Sequence, residues 1–297
     1  VRASFVADEN AWALKDLEAE TDQGAVHADL RLTGWLARLS DPEQTLHCEA
    51  VIHAAGLPLE AWLKDDTATG NAEPLWPANA TADIGLKVDR LKYREWEAAE
   101  LKGRLKLSKG GPLSWDLSLQ SMGGDMALQG ALAFSPGGHQ LRCQAQLNAI
   151  DITEMFRQLE DFGQEDITHA NLMGLLNARI DAGFLLDGNG QVSPASILAT
   201  LDMEVRGGQI LHYAPLEELS GFIRAGDLER VKIEPVRNQI TIRDQRVIIP
   251  DMAVKTDAMD LQIAGVHHFD QSIDYSIRVL LSELLGRKAR EARPEND

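Results

Sequence analysis

The sequence predicts a mainly β fold, an antiparallel sheet with a few short amphipathic helices. Three observations predict it. Apolar and polar residues alternate with a period of two through most of the 297 residues, which gives each strand one apolar and one wet face. Half-wet strands mark antiparallel sheets, because parallel strands are usually apolar on both sides. Turn signals separate the runs: Ser135-Pro136-Gly137-Gly138, Asp187-Gly188-Asn189-Gly190, Asp244-Gln245 and Asp270-Gln271.

The elements follow in order. Residues 8–19 read as a helix. Val26, Ala28, Leu30 and Leu32 alternate in a strand, and a turn near Asp41-Pro42 leads to the run Leu46, Cys48, Ala50 and Ile52. Further strands carry Ala82, Ile84, Leu86 and Val88, then Leu113, Trp115, Leu117 and Leu119, then Leu141, Cys143, Ala145 and Leu147. "DITEMFRQLEDFG" reads as a helix capped by Asp151, with Glu154 three positions on and Gly163 as its stop. Two long runs come next: Leu176, Ala178, Ile180, Ala182 and Phe184, then Ile197, Ala199, Leu201, Met203 and Val205. "APLEELSGFIRAG" reads as another helix, with Pro215 in its first turn and a stripe of Leu216, Leu219, Phe222 and Ile223. Met259, Leu261 and Ile263 alternate in a strand, as do Ile273, Tyr275, Ile277 and Val279, and residues 280–292 form a closing helix.

An irregular repeat runs through this order. Gly130-x-x-x-Phe134, a hairpin, a strand and the helix at 151–162 make one copy. Gly265-x-x-x-Phe269, a hairpin, a strand and the closing helix make another. A repeated unit of this kind suits an elongating sheet.

Composition narrows the partners. The apolar fraction of 44% and charged fraction of 25% are ordinary for a folded chain, and 5% aromatics imply an aliphatic core. A net charge of −17 repels phosphate backbones, so no nucleic-acid partner is expected. No run of about 18 apolar residues is present to cross a bilayer as a helix. The chain begins at Val1 and is read as a piece of a longer protein, so a missing leader carries no weight.

The search for chemistry finds little. The eight histidines are scattered singly except His267-His268, whose side chains point to opposite faces of a strand, and no HExxH spacing occurs. Residues 187–191 imitate the start of a calcium loop, but Gln191 and Leu198 stand where acids are needed. No GxSxG, Walker loop or GxGxxG motif is present. Cys48 and Cys143 read as small buried hydrophobes, and the sequence does not say whether they pair. No catalytic residue, metal or cofactor is expected. Alternation leaves two uses for the apolar faces: the core of a closed sandwich, or one face of a single sheet left partly open.

A resemblance bears on that choice. "NLMGLLNARIDAGF", "LDMEVRGGQILHYAPLEELSGFI", "NQITIRDQRVIIPDM" and "AMDLQIAGVHHFDQSIDYSIRVLLSELLGRKAR" resemble, in order, the C-terminal region of AsmA-like proteins of the Bacteroidetes type. The match covers about residues 148–290. Residues 80–132 resemble the family more loosely, and "LPLEAWL" is similar to its repeat junction. The resemblance implies an elongated, strongly curled antiparallel sheet with an open apolar groove, as in TamB and the bridge-like lipid transfer proteins. It implies two parts, residues 1–147 and 148–297, of a periplasmic body held at the inner membrane by an N-terminal helix absent here.

The implied function is non-enzymatic: binding phospholipid or another acyl lipid for transport between inner and outer membrane and for outer-membrane biogenesis. The groove residues, by parity, are Leu176, Ala178, Ile180, Phe184, Ile197, Leu201, Met203, Val205, Leu261, Ile263, Ile273, Tyr275 and Ile277. Arg287, Lys288 and Arg290 on the closing helix are the expected contacts for lipid headgroups or a partner. A second reading is an envelope scaffold that binds outer-membrane assembly proteins. A third, more remote, is a β-rich hydrolase or carbohydrate-binding module.

Overall fold

The computed structural model describes residues 1–279 except 10, 22, 42, 59–78, 136, 189 and 222–224. It is mainly strand, with a large antiparallel sheet. The closing helix, with Arg287, Lys288 and Arg290, lies outside the described residues, as does most of "LPLEAWL".

The chain order is β1 (Arg2–Ala7), β2 (Ala11–Thr21), β3 (Gly24–Thr33), α1 (Trp35–Ser40), β4 (Leu46–Ala54), β5 (Leu57–Pro58), β6 (Ala80–Tyr93), β7 (Trp96–Leu107), β8 (Leu113–Ser121), β9 (Gly124–Ser135) and β10 (Gly138–Asp151). Then come α2 (Ile152–Gln158), β11 (Leu172–Leu186), β12 (Leu198–Leu211), α3 (Ala214–Glu217), α4 (Ala225–Leu228), β13 (Arg230–Lys232), β14 (Val236–Arg243), β15 (Arg246–Lys255), β16 (Asp260–His268) and β17 (Ile273–Val279). They fall into two compact units. Unit one holds Val1–Ser121, Asp125–Gln146 and Asp181–Pro194; unit two holds Met122–Gly124, Leu147–Ile180 and Ala195–Asp297.

In unit one, β1 to β4 pair antiparallel in sequence order, β6 joins β4, and β7 and β8 extend the ladder. Its buried side chains include Val88, Leu91, Leu101 and Leu119 in one cluster and Ala80, Ala82 and Leu107 in another. In unit two, β12 pairs with β13 and β14, and β14 to β17 follow as consecutive hairpins. Its core gathers Leu216, Leu228, Val231, Val254, Met259 and Leu261.

Several expectations need correction. Residues 8–19 are not a helix: most of them lie in β2. A bulge between Leu14 and Leu17 puts Asp16 at φ 52°, and the Asp29 carboxylate accepts the Asp16 N–H at 2.9 Å. The extra residue makes Leu14 and Leu17 recur at a spacing of three, which imitates a helical stripe. β4 and β6 are parallel, as are β5 and β6, so the sheet is not antiparallel throughout. A wet face on each strand does not fix strand direction.

The helices are shorter than expected. α2 has its cap where Asp151 Oδ1 accepts the Glu154 N–H at 3.0 Å, but it ends at Gln158. Glu160, Asp161, Phe162 and Gly163 then take positive φ, a left-handed turn that L residues enter at a cost. The segment after Tyr213 is broken into α3, a 3-10 turn at Glu218–Gly221 and α4. α1 was not foreseen; Gly34 precedes it at φ 81°, where a Cβ would strike the Thr45 carbonyl.

Strong curl is also absent: in neither unit do the described strands close on themselves or curl strongly. Alternation decides which side chains share a face. It does not decide how far the sheet bends, which depends on the twist and bulges of each ladder.

Candidate functional site

The strand registers sort the side chains of each unit by face. Antiparallel partners directly opposite one another project to the same side of a sheet, so rows can be followed across the ladder. In unit two, Ala199 faces Ile242, which faces Val247, then His267, then Ile273. Leu201 pairs with Ile240, and on the same face Ile249 pairs with Gly265 and Gly265 with Tyr275. Met203 pairs with Asn238, while Met252, Ile263 and Ile277 form a row. Val205 pairs with Val236, while Val254, Leu261 and Val279 form another. A bulge between Ile249 and Met252 contains Pro250, which has no N–H to lose, and it keeps the rows on one side.

The structure therefore brings Leu201, Met203, Val205, Leu261, Ile263, Ile273, Tyr275 and Ile277 to one face, as parity requires. Leu176 and Ala178 on β11 are buried and Ile180 is half-buried. Ile197 is half-buried just before β12, after a 3-10 turn at Pro194–Ser196. Phe184 is half-buried within unit one.

Among the described residues, α3 and α4 cover the apolar face of unit two at one end. Leu216 of α3 and Leu228 of α4 pack with Val254, Met259 and Leu261, and Leu261 keeps 2% of its surface exposed. Away from that cap the residues stay open: Ile277, in the row next to Leu261, is 48% exposed, and Tyr275 is 39% exposed.

The opposite face of unit two is polar. Glu204 Oε1 accepts from Arg237 Nε at 2.9 Å, and Arg206 Nη2 lies 2.8 Å from Glu204 Oε2. These two guanidiniums, Arg237 first, hold the Glu204 carboxyl below the usual glutamate range. Gln239 donates to Asp202 at 2.7 Å and Gln262 to Asp251 at 2.6 Å.

Unit one repeats the arrangement on β2 to β8, strands that hold none of the expected groove residues. Trp12, Leu32, Cys48, Ala82, Leu107 and Leu113 form a row across six strands. Leu14, Leu30, Ala50, Ile84, Leu105 and Trp115 form the next. Its other face carries Asp83 against Arg104 at 3.2 Å and His53 against Asp89 at 3.0 Å. The alternation was visible in the sequence; the alignment of its strands into rows was not, because registers are set in space.

Both cysteines are free, and burial pushes each thiol upward. Among the described residues no three His, Cys, Asp or Glu side chains gather into a metal-binding group, and no helix is long and apolar enough to cross a membrane. Compared with known proteins, the chain matches no family model, no curated protein and no solved structure.

Proposed function

We propose that the chain is a lipid-binding sheet of the AsmA type, with acyl chains lying along the open apolar face and no chemistry performed on them. One observation carries the reading. In each unit a multi-strand face is lined by aligned rows of aliphatic side chains, and many of them are only half-buried. A large open apolar surface is costly in water and marks a binding surface. A fully buried CH₂ gains about 0.8 kcal/mol, so a dozen methylenes half-covered by an open face are worth on the order of 5 kcal/mol before ordering costs.

On this reading the bound molecule is a phospholipid or another acyl lipid, and the body sits in the periplasm on a longer chain anchored in the inner membrane. The surface is an open face, not a deep trough. The test is native mass spectrometry of the purified chain, followed by solvent extraction and lipid analysis. Co-purified phospholipid at defined stoichiometry is the expected result. A folded, lipid-free chain that also takes up no lipid from vesicles would favour the scaffold reading instead.

A further inference from the structure

Two histidines that are far apart in sequence meet on the polar face of unit one. His27 on β3 and His53 on β4 are direct partners in the antiparallel register, and their ring centres are 6.3 Å apart. Each imidazole has a carboxylate beside it. Asp89 Oδ1 lies 3.0 Å from His53 Nε2, and Glu18 Oε1 lies 3.9 Å from His27 Nδ1. Glu18 is itself the register partner of His27. Glu18, His27 and His53 lie in one row across β2, β3 and β4; the β6 residue in that row is Lys87, and Asp89 stands two residues further along β6, 3.9 Å from the Lys87 ammonium. Among the described residues, His53 Nδ1 and His27 Nε2 are the ring nitrogens left for another ligand.

We propose that His27 and His53 form a divalent transition-metal site, of the class that takes Zn²⁺, Ni²⁺ or Cu²⁺. Neutral imidazole suits these ions, whereas Mg²⁺ and Ca²⁺ take oxygen ligands. Direct cross-strand partners have Cβ atoms about 4.5–5.5 Å apart, close enough for two imidazoles to share one ion. Zinc holds each nitrogen at about 2.0–2.1 Å, so two nitrogens at a tetrahedral centre stand about 3.3 Å apart. Binding requires the rings, 53% and 38% exposed and now 6.3 Å apart between centres, to rotate until the two nitrogens reach that distance. Asp89, 3.0 Å from His53 Nε2, supplies what a ligating histidine ordinarily has on its second nitrogen, a carboxylate that orients the ring, while Glu18, 3.9 Å from His27 Nδ1, adds a nearby negative charge without a hydrogen bond. Water completes the coordination. The bound ion clips β3 to β4 on the face opposite Ala28 and Ile52.

His47 is a built-in comparison. It lies on the same face of β4, but its Nδ1 is 2.7 Å from Thr81 Oγ1 and its partner on β3 is Thr33.

The experiment is calorimetric titration of the whole chain with zinc chloride, alongside equilibrium dialysis and thermal melts. One saturable zinc per chain is expected, with a melting midpoint that rises with zinc. Both effects should be lost in His27→Ala and in His53→Ala and kept in His47→Ala. His27→Gln and His53→Gln, which preserve side-chain bulk, repeat the test should an alanine variant unfold. No saturable zinc on the folded wild type, or undiminished zinc in the His27→Gln/His53→Gln double variant, overturns the proposal.

Discussion

The Tyr275 ring lies over Gly265, its direct partner across β16 and β17, in the space that a Cβ at Gly265 would occupy. The same relationship holds in unit one, where the Trp115 ring fills the Cβ position of Gly130. An aromatic ring laid on a strand glycine shields backbone that would otherwise face water, and it pins register. These are the two glycines of the Gly-x-x-x-Phe repeat.

Gly265→Ala should displace the Tyr275 ring and destabilise unit two by about 1–3 kcal/mol, the usual cost of overpacking. Gly188→Ala, whose Cβ would meet nothing within 4 Å, should change stability by less than about 0.5 kcal/mol. Urea denaturation of the two variants checks the contrast.

Asp151 closes the first turn of α2 by accepting the Glu154 N–H at 3.0 Å. Asp151→Ala should cost about 1 kcal/mol, and Asp151→Ser should restore most of it, since serine is also a good cap. Denaturation midpoints of the pair measure this.

Glu204 gives a signed pH dependence. Its carboxyl is held low in the folded state by Arg237 and Arg206. A carboxylate with a depressed folded pKa contributes stability above its unfolded pKa, and that contribution is lost as pH falls through the folded value. Wild type should therefore exceed Glu204→Gln in stability at neutral pH, and the two should converge in the acid range. A difference that grows on acidification would reverse the sign and contradict the assignment. Melting curves from pH 7 to 3 decide it.

The cysteines test burial from a different side. Burial first, then Glu49 beside Cys48 and Asp181 beside Cys143, keep both thiols protonated to higher pH than usual. Since the thiolate is the reactive form, alkylation of the folded chain at pH 8 should be slower than that of the urea-unfolded chain. The rate should climb as pH rises further, and both residues should label without prior reduction.

Much of the fold was legible because alternation is a local property. The strands at 26–32, 46–52, 82–88 and 176–184 lie within the observed ones, the run 197–205 starts one residue before β12, and Asp151 caps its helix as its spacing with Glu154 suggests. What failed was non-local or depended on one inserted residue. The bulge at Asp16 disguised β2 as a helix. The parallel β4–β6 pairing leaves no trace in either strand. The left-handed turn at Glu160–Gly163 includes Glu160 and Phe162, which have no preference for that conformation. In the candidate site, parity bears on which residues share a face, and Leu201, Ile263 and Ile277 share one. It could not tell that Leu261 sits under α3 and α4 while Ile277 stays open, because cover is supplied by segments distant in sequence.

The most direct test of the open apolar face replaces single residues on β12 with a photo-crosslinking amino acid and exposes the chain to labelled phospholipid. Leu201 and Met203 project to the apolar face, and Thr200 and Asp202 to the polar one. Crosslinks to lipid at positions 201 and 203, and none at 200 and 202, are the predicted result. Equal labelling at all four positions, or none in a folded chain supplied with vesicles, would contradict the claim that acyl chains lie along this face.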